Sequence, residues 1–183
     1  MLYQAIVVAA LLAAGLAEAR EPSRLAPKDA PSRGEVAPAS EPGERLVVSG
    51  TVYAADGRTP VAGASLYVYQ TDARGHYRLD DPMGNQNPRL FALLRSDARG
   101  SYSYRTIRPA SYPGTRVVQH IHYEVTAAGH GTRIFEIVFE DDPVITEEVR
   151  RRAKEPGSIY SLRKVEPGRD AGRVTQDVVL PAR

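Results

Sequence analysis

Two histidines separated by one residue, His120 and His122, stand in the run Val117-Val118-Gln119-His120-Ile121-His122-Tyr123-Glu124-Val125, which otherwise reads as a β-strand. Successive side chains of a strand point to opposite faces, so the two imidazoles share one face with their Cα atoms roughly 6–7 Å apart. Gln119, Ile121 and Tyr123 then point the other way. Two imidazoles so placed can converge on one metal ion, although the pair alone equally fits two unrelated histidines hydrogen-bonded within a sheet. Just upstream, Pro109-Ala110-Ser111-Tyr112-Pro113-Gly114 is an irregular stretch that offers a tyrosine on a loop. Loops at the end of a rigid sandwich are where ligands are commonly mounted. A phenolate is a hard anionic donor that suits Fe(III) better than Zn(II) or Cu(I). A strong local cation also makes phenolate available at neutral pH, against an ordinary pKa of about 10.

The elements that must position these residues are short and alternate with period two. Segments 46–53, 64–70, 90–96, 101–107, 117–126 and 133–139 all read this way, punctuated by Asp-Gly, Ala-Gly and Arg-Gly turns. The predicted fold is all-β, an antiparallel β-sandwich. One segment breaks the pattern: 144–155, after Asp142-Pro143, has helical composition until Pro156 stops it, giving one short helix near the C-terminus. The run Val174-Thr175-Gln176-Asp177-Val178-Val179-Leu180 reads as a closing strand. The sequence Asp-Ala-Arg-Gly occurs at 72–75 and again at 97–100, each time shortly before a tyrosine. It predicts two hairpins of the same turn chemistry, with Asp72 or Asp97 capping the turn and Gly75 or Gly100 at positive φ.

The 183 residues carry a formal net charge of +2 and no basic stripe interleaved with aromatics, which argues against nucleic-acid binding. An apolar run from Ala5 to Leu16, followed by Ala17-Glu18-Ala19, reads as a signal peptide over 1–19, with export to the periplasm or medium. No stable membrane span is expected once it is cleaved. With no cysteine, the domain must stand on its core without disulfides. Residues 20–45 are dense in Pro, Ala, Ser and mixed charge and read as a linker, so the domain is placed at 46–183. His76 and His130, the acidic pairs Asp80-Asp81 and Asp141-Asp142, and the alternating tyrosines Tyr67, Tyr69, Tyr102 and Tyr104 read as structural.

Taken together, the order Gly75-His76-Tyr77, then Thr106-Ile107-Arg108-Pro109-Ala110-Ser111-Tyr112-Pro113, then His120-Ile121-His122 resembles the intradiol ring-cleavage dioxygenases, over most of residues 46–143. That group contains the catechol and protocatechuate dioxygenases. The resemblance implies a non-haem Fe(III) held by Tyr77, Tyr112, His120 and His122. It further implies that a catechol-type substrate binds through both oxygens, displacing a hydroxide and Tyr112 while Tyr77 stays. Dioxygen would then be inserted between the two hydroxyl-bearing carbons to give a cis,cis-muconate type diacid, with no organic cofactor. A homo-oligomer is compatible with the pattern.

Three positions depart from the family. Relatives carry an arginine three residues before the first histidine; here that position is Val117 and the arginine is Arg116, and one residue flips a strand's face. Arg116 takes the catalytic role only if the loop is locally irregular. Glu136 stands where relatives often show glutamine near the substrate, making it a substrate-pocket residue. Gly114 replaces a bulky aromatic, implying a more open pocket. The run 46–77 is also similar to transthyretin-like and carboxypeptidase-regulatory sandwich modules, which carry no metal, and an inactive metal-binding relative is a third reading.

Overall fold

The computed structural model describes residues 24–81 and 83–183; the leader assigned to 1–19 lies outside the described residues. In chain order the elements are β1 (Arg33–Glu35), β2 (Arg45–Tyr53), β3 (Ser65–Gln70), β4 (Leu90–Arg95), β5 (Ser101–Ile107), β6 (His120–Thr126), β7 (Arg133–Phe139), α1 (Glu147–Arg152), β8 (Tyr160–Arg163), β9 (Gly172–Thr175) and β10 (Val178–Val179). One sheet has the order β1-β5-β2-β10 with β9 also on β2, and the other β4-β3-β6-β7-β8. The central pairs β2–β5, β3–β4, β3–β6 and β6–β7 are antiparallel, as the alternation and tight turns require. Parallel pairings occur at the margins, where β1, β8, β9 and β10 arrive by longer connections.

The core between the sheets is built from one face of each strand. Val48 and Val52 of β2, Leu66 and Val68 of β3, Ile121 and Val125 of β6, and Ile137 and Phe139 of β7 are all fully buried. Each such side chain contributes about 1.5–3 kcal/mol of hydrophobic stabilisation. Tyr104 of β5 and Tyr123 of β6 meet across the core through their hydroxyls at 2.5 Å, satisfying two buried polar groups at once. Tyr102 donates to the Gln176 carbonyl at 2.6 Å. Burial pushes all three phenols above their ordinary pKa, so they stay neutral.

Residues 24–45, expected to be a linker, are instead part of the domain. β1 pairs in parallel with β5, and Ala26, Val36 and Ala37 are buried. Arg95 donates to the carbonyls of Ala26, Pro27 and Gly63, and Arg89 makes a bidentate pair with Glu41 at 2.6 and 2.8 Å. The segment lacks large apolar residues, yet small side chains and backbone pairing suffice to cover a sheet edge that would otherwise be open. The closing strand is also modified. β9 and β10 pair with successive stretches of β2 and are interrupted at Gln176-Asp177. There the Gln176 carbonyl presses on Gly50 so closely that any Cβ at 50 would collide with it. The helix is as expected but short: Thr146 caps α1 by accepting from Val149 N.

Candidate metal centre

The second sheet has two faces with different chemistry. Ile121 and Tyr123 of β6 face the core, so His120 and His122 emerge on the outer face, as the alternation predicts. Tyr77 follows the first Asp-Ala-Arg-Gly turn. In that turn Asp72 Oδ1 accepts from the backbone N–H of Arg74 and His76, and Gly75 takes φ +83°. The second turn repeats the device, with Asp97 accepting from Arg99 and Ser101 and Gly100 at φ +74°.

Tyr112 lies on the loop between β5 and β6, and this loop is tied down on all sides. Ala110 N donates to the Asp72 carbonyl at 3.0 Å, and the Thr71 hydroxyl donates to the Ala110 carbonyl at 2.8 Å. At its far end the buried Asp142 carboxylate accepts from Gln119 N at 2.6 Å, and Arg108 bridges Gln119 at 2.8 Å and Asp141 at 2.8 and 2.7 Å. Asp141 and Asp142 therefore do more than form a turn: they fix the entry into β6. Sequence reasoning missed that role because nothing local links 108 to 141.

The result is a closed ring of four donor atoms. Tyr77 Oη is 2.6 Å from Tyr112 Oη and 2.6 Å from His122 Nε2; Tyr112 Oη is 3.0 Å from His120 Nε2; and the two Nε2 atoms are 3.0 Å apart. His120 Nδ1 sits 2.7 Å from the Val118 carbonyl, which can only accept, so in the neutral tautomer that this contact selects Nδ1 carries the proton and Nε2 faces the other donors. Two phenols and two ring nitrogens, each within about 3 Å of the next, have the spacing that neighbours around one small cation with bonds of about 2 Å would have. The donor set, two hard phenolic oxygens with two imidazoles, suits a small, highly charged ion. The residues present thus fit the ferric ion that the sequence led us to expect.

Electrostatics sharpen the picture. Burial, with the Tyr112 hydroxyl beside it, drives the Tyr77 phenol far above its usual range, and burial also raises Tyr112. Both are phenols in the metal-free protein, so loading a cation must release protons. Burial, with His120 close by, lowers the His122 imidazole to about 3 from 6.5. The unfolded chain binds that proton below about pH 6.5 and the folded one does not until about 3. Stability of the metal-free protein therefore falls as pH drops through this window, by about 1.4 kcal/mol per unit from this group. Urea unfolding of the metal-free protein from about pH 7 to about pH 4 reads this slope, and a His122→Gln variant whose slope equals that of the unaltered chain would show that His122 does not supply it.

Glu136 also lies here. His122 and Glu136 are directly opposed across β6 and β7, and Glu136 Oε1 is 3.3 Å from His122 Nδ1. Ligand atoms of His120, His122 and Glu136 lie within 4.8 Å of one another. Burial raises the Glu136 carboxyl. Arg116 is not brought in: it is exposed and makes no hydrogen bond or ion pair among the described residues. Val117 is also exposed, and Gly114 follows Tyr112 in a turn closed by Thr115 N on the Tyr112 carbonyl at 3.1 Å. Tyr67 and Tyr69 belong to this outer face. Tyr69 stacks on His122 with ring centroids 4.3 Å apart at 12°, a contact the sequence alternation could not place because it depends on strand register.

Comparison with known proteins agrees with this geometry. The Dioxygenase family model matches residues 23–182. Catechol 1,2-dioxygenase of Acinetobacter baylyi is 29% identical over 144 residues, covering 68% of this chain and 45% of the relative. The protocatechuate 3,4-dioxygenase beta chain of Burkholderia cepacia is 31% identical over 113 residues, covering 56% of this chain and 48% of the relative. The chain thus spans about half the length of these curated relatives. Among solved structures, the dioxygenase domain of a dioxygenase–carbohydrate-binding protein fusion from Streptomyces sp. SirexAA-E superposes with a TM-score of 0.63 at 28% identity, covering 85% of this chain and 91% of that one. A family match over nearly the whole described chain, on a sandwich that gathers two tyrosines and two histidines at one point, means that this chain belongs to the intradiol ring-cleavage dioxygenase family.

Proposed function

We propose that this chain is an exported enzyme that cleaves a catechol-type ring between its hydroxyl-bearing carbons with dioxygen, using Fe(III) held by Tyr77, Tyr112, His120 and His122. The observation that carries the reading is the closed ring of four donor atoms at 2.6 to 3.0 Å. A metal-free sandwich module has no reason to bring two imidazole nitrogens and two phenols together in one ring. The apolar run at 5–16 with Ala17-Glu18-Ala19 after it supports export.

When bound, the ferric ion supplies Lewis acidity, drawing electron density from the substrate's oxygens so that its ring reacts with dioxygen. The two tyrosines have unequal parts. Tyr77 is 1% exposed, and its oxygen is held against both Tyr112 and His122, so it has nowhere to go. Tyr112 is only half-buried and rides on a loop, so of the two tyrosines it would be the one to give way to a substrate oxygen. Its environment favours the phenol over the phenolate, so Tyr112 Oη would be the group to accept a substrate hydroxyl proton. His120 keeps its orientation throughout, since the Val118 carbonyl holds Nδ1.

A second reading, a member that holds the metal without turning over, is favoured by one observation: Arg116 is exposed and has no hydrogen-bond or ion-pair partner among the described residues. One experiment separates the two. The mature chain, recovered from the exported fraction and beginning at Arg20, is loaded with ferric iron and exposed to catechol under air. The first reading expects stoichiometric iron, a visible tyrosinate charge-transfer band that moves on adding catechol, and a diacid formed with matching oxygen uptake. A colourless chain that takes up no iron overturns the ferric assignment. A band that moves while no ring opens establishes the second reading.

A further inference from the structure

The register of the second sheet places five side chains in one row across its outer face. Phe91 of β4 opposes Tyr69 of β3, Tyr69 opposes His122 of β6, His122 opposes Glu136 of β7, and Glu136 opposes Tyr160 of β8. His122 stands in the middle. On one side the Tyr69 ring lies flat on the imidazole, 4.3 Å between centroids and 12° between planes, and Tyr67 stacks behind Tyr69 at 5.1 Å. Arg24, from the segment that covers the edge, lies 5.7 Å over the Tyr67 ring and 3.7 Å from Glu124, closing the stack from outside. On the other side the Glu136 carboxylate is 3.3 Å from Nδ1. The nitrogen facing the candidate metal centre is Nε2, 2.6 Å from Tyr77 Oη and 3.0 Å from His120 Nε2. Glu136 therefore stands behind His122 relative to the donor ring.

We propose that Tyr69 and Glu136 form a two-sided clamp that fixes the ring plane and the Nδ1–H tautomer of His122 and makes it the more strongly donating of the two histidine ligands. The inference rests on His122 being a ligand, as read above. An imidazole backed by a carboxylate donates more charge to a metal than one backed by a neutral carbonyl. The site has one of each: His122 is backed by Glu136, and His120 by the Val118 carbonyl at 2.7 Å. The flat stack adds what a carboxylate cannot, resistance to rotation about the ring's own bond, because an offset aromatic pair loses contact when either plane tilts. Glu136 and Tyr69 are thus positioning residues acting through His122. In this role Glu136 leaves the substrate's recognition to other groups.

Glu136→Gln, Glu136→Leu, Tyr69→Phe and Tyr69→Leu separate the clamp from a general structural role. In the metal-free protein, nitrogen-resolved NMR should find His122 as the Nδ1–H tautomer, and Glu136→Leu should redistribute the proton between the two nitrogens. In the iron-loaded protein, Glu136→Gln should speed iron release to a chelator about 10- to 100-fold. It should also shift the midpoint potential upward, since a weaker donor stabilises the ferric state less. Tyr69→Leu should speed release as well, and Tyr69→Phe, which keeps the ring, should restore it. Melting temperatures of the metal-free forms should barely move for Glu136→Gln and Tyr69→Phe. A tautomer indifferent to residue 136 overturns the clamp even where iron release changes, because Glu136 would then be touching the ion or substrate directly. So do unchanged release and potential in Glu136→Gln. A chain that takes up no iron yet shows the tautomer set by Glu136 sinks the ferric reading, and with it the tuning of a ligand, while leaving the hold on the ring plane and tautomer of His122 standing.

Discussion

Tyr77→Phe is expected to abolish most of the visible charge-transfer colour of the iron-loaded protein and to lower ring-cleaving turnover by at least about 100-fold, beyond the 10- to 100-fold cost of losing a supporting neighbour of a ligand. The substitution removes one oxygen and little else. The ring is 1% exposed and packs at 6.0 Å on Tyr69 and 5.7 Å on Tyr112, contacts that phenylalanine keeps. In the metal-free protein the loss is two hydrogen bonds, to Tyr112 and His122, so the stability change should stay near about 1 kcal/mol. With the metal bound, the loss is an anionic donor in a site where burial makes every charge count for more. Tyr112→Phe supplies the contrast. If Tyr112 is the tyrosine that leaves, its variant should differ from the parent before catechol is added and resemble it afterwards. A spectrum unchanged in Tyr77→Phe removes Tyr77 from the site.

What the sequence made legible follows from short-range physics. Period-two alternation located every strand of the two sheets from β2 to β7, and it put His120 and His122 on one face because that depends only on the pleat. The Asp-Ala-Arg-Gly turns were legible for the same reason, since an Asx-capped turn with glycine at positive φ is specified within a few residues. Register was not legible. Which residue of β3 faces His122 is decided by the whole sheet's packing, so the Tyr69 stack and the approach of Glu136 to Nδ1 emerge only in three dimensions. Composition also misled at 24–45. A segment poor in large apolar residues reads as coreless, but β1 needs only backbone pairing with β5 and small side chains such as Ala37 to dock. The misplaced arginine is the opposite case: the one-residue offset visible in sequence corresponds to an Arg116 that stays at the surface.

The repeated turn supplies its own control for the second large effect. At Gly75 a Cβ would run into the Ser111 carbonyl oxygen and come within 3.0 Å of Pro113 Cδ, the residues on either side of Tyr112, and φ is +83°. Gly75→Ala is therefore expected to destabilise the fold by about 1–3 kcal/mol through backbone strain and, in addition, to push the Tyr112 loop off its seat. Tyr112 Oη would leave its positions at 2.6 Å from Tyr77 and 3.0 Å from His120. A displacement of about 1 Å at a reacting group costs about 100-fold in rate. Gly100, at φ +74° in the sister turn, meets Val52 O at 2.8 Å instead, on β2 and away from the donor ring. Gly100→Ala should therefore destabilise by a similar amount while leaving the charge-transfer band and the turnover per folded molecule unchanged. Chemical denaturation sets the two variants on a common stability scale, and the spectra then separate strain from site. Equal spectral and kinetic losses in both would mean that the close approach of Ser111 to Gly75 has no special hold on Tyr112.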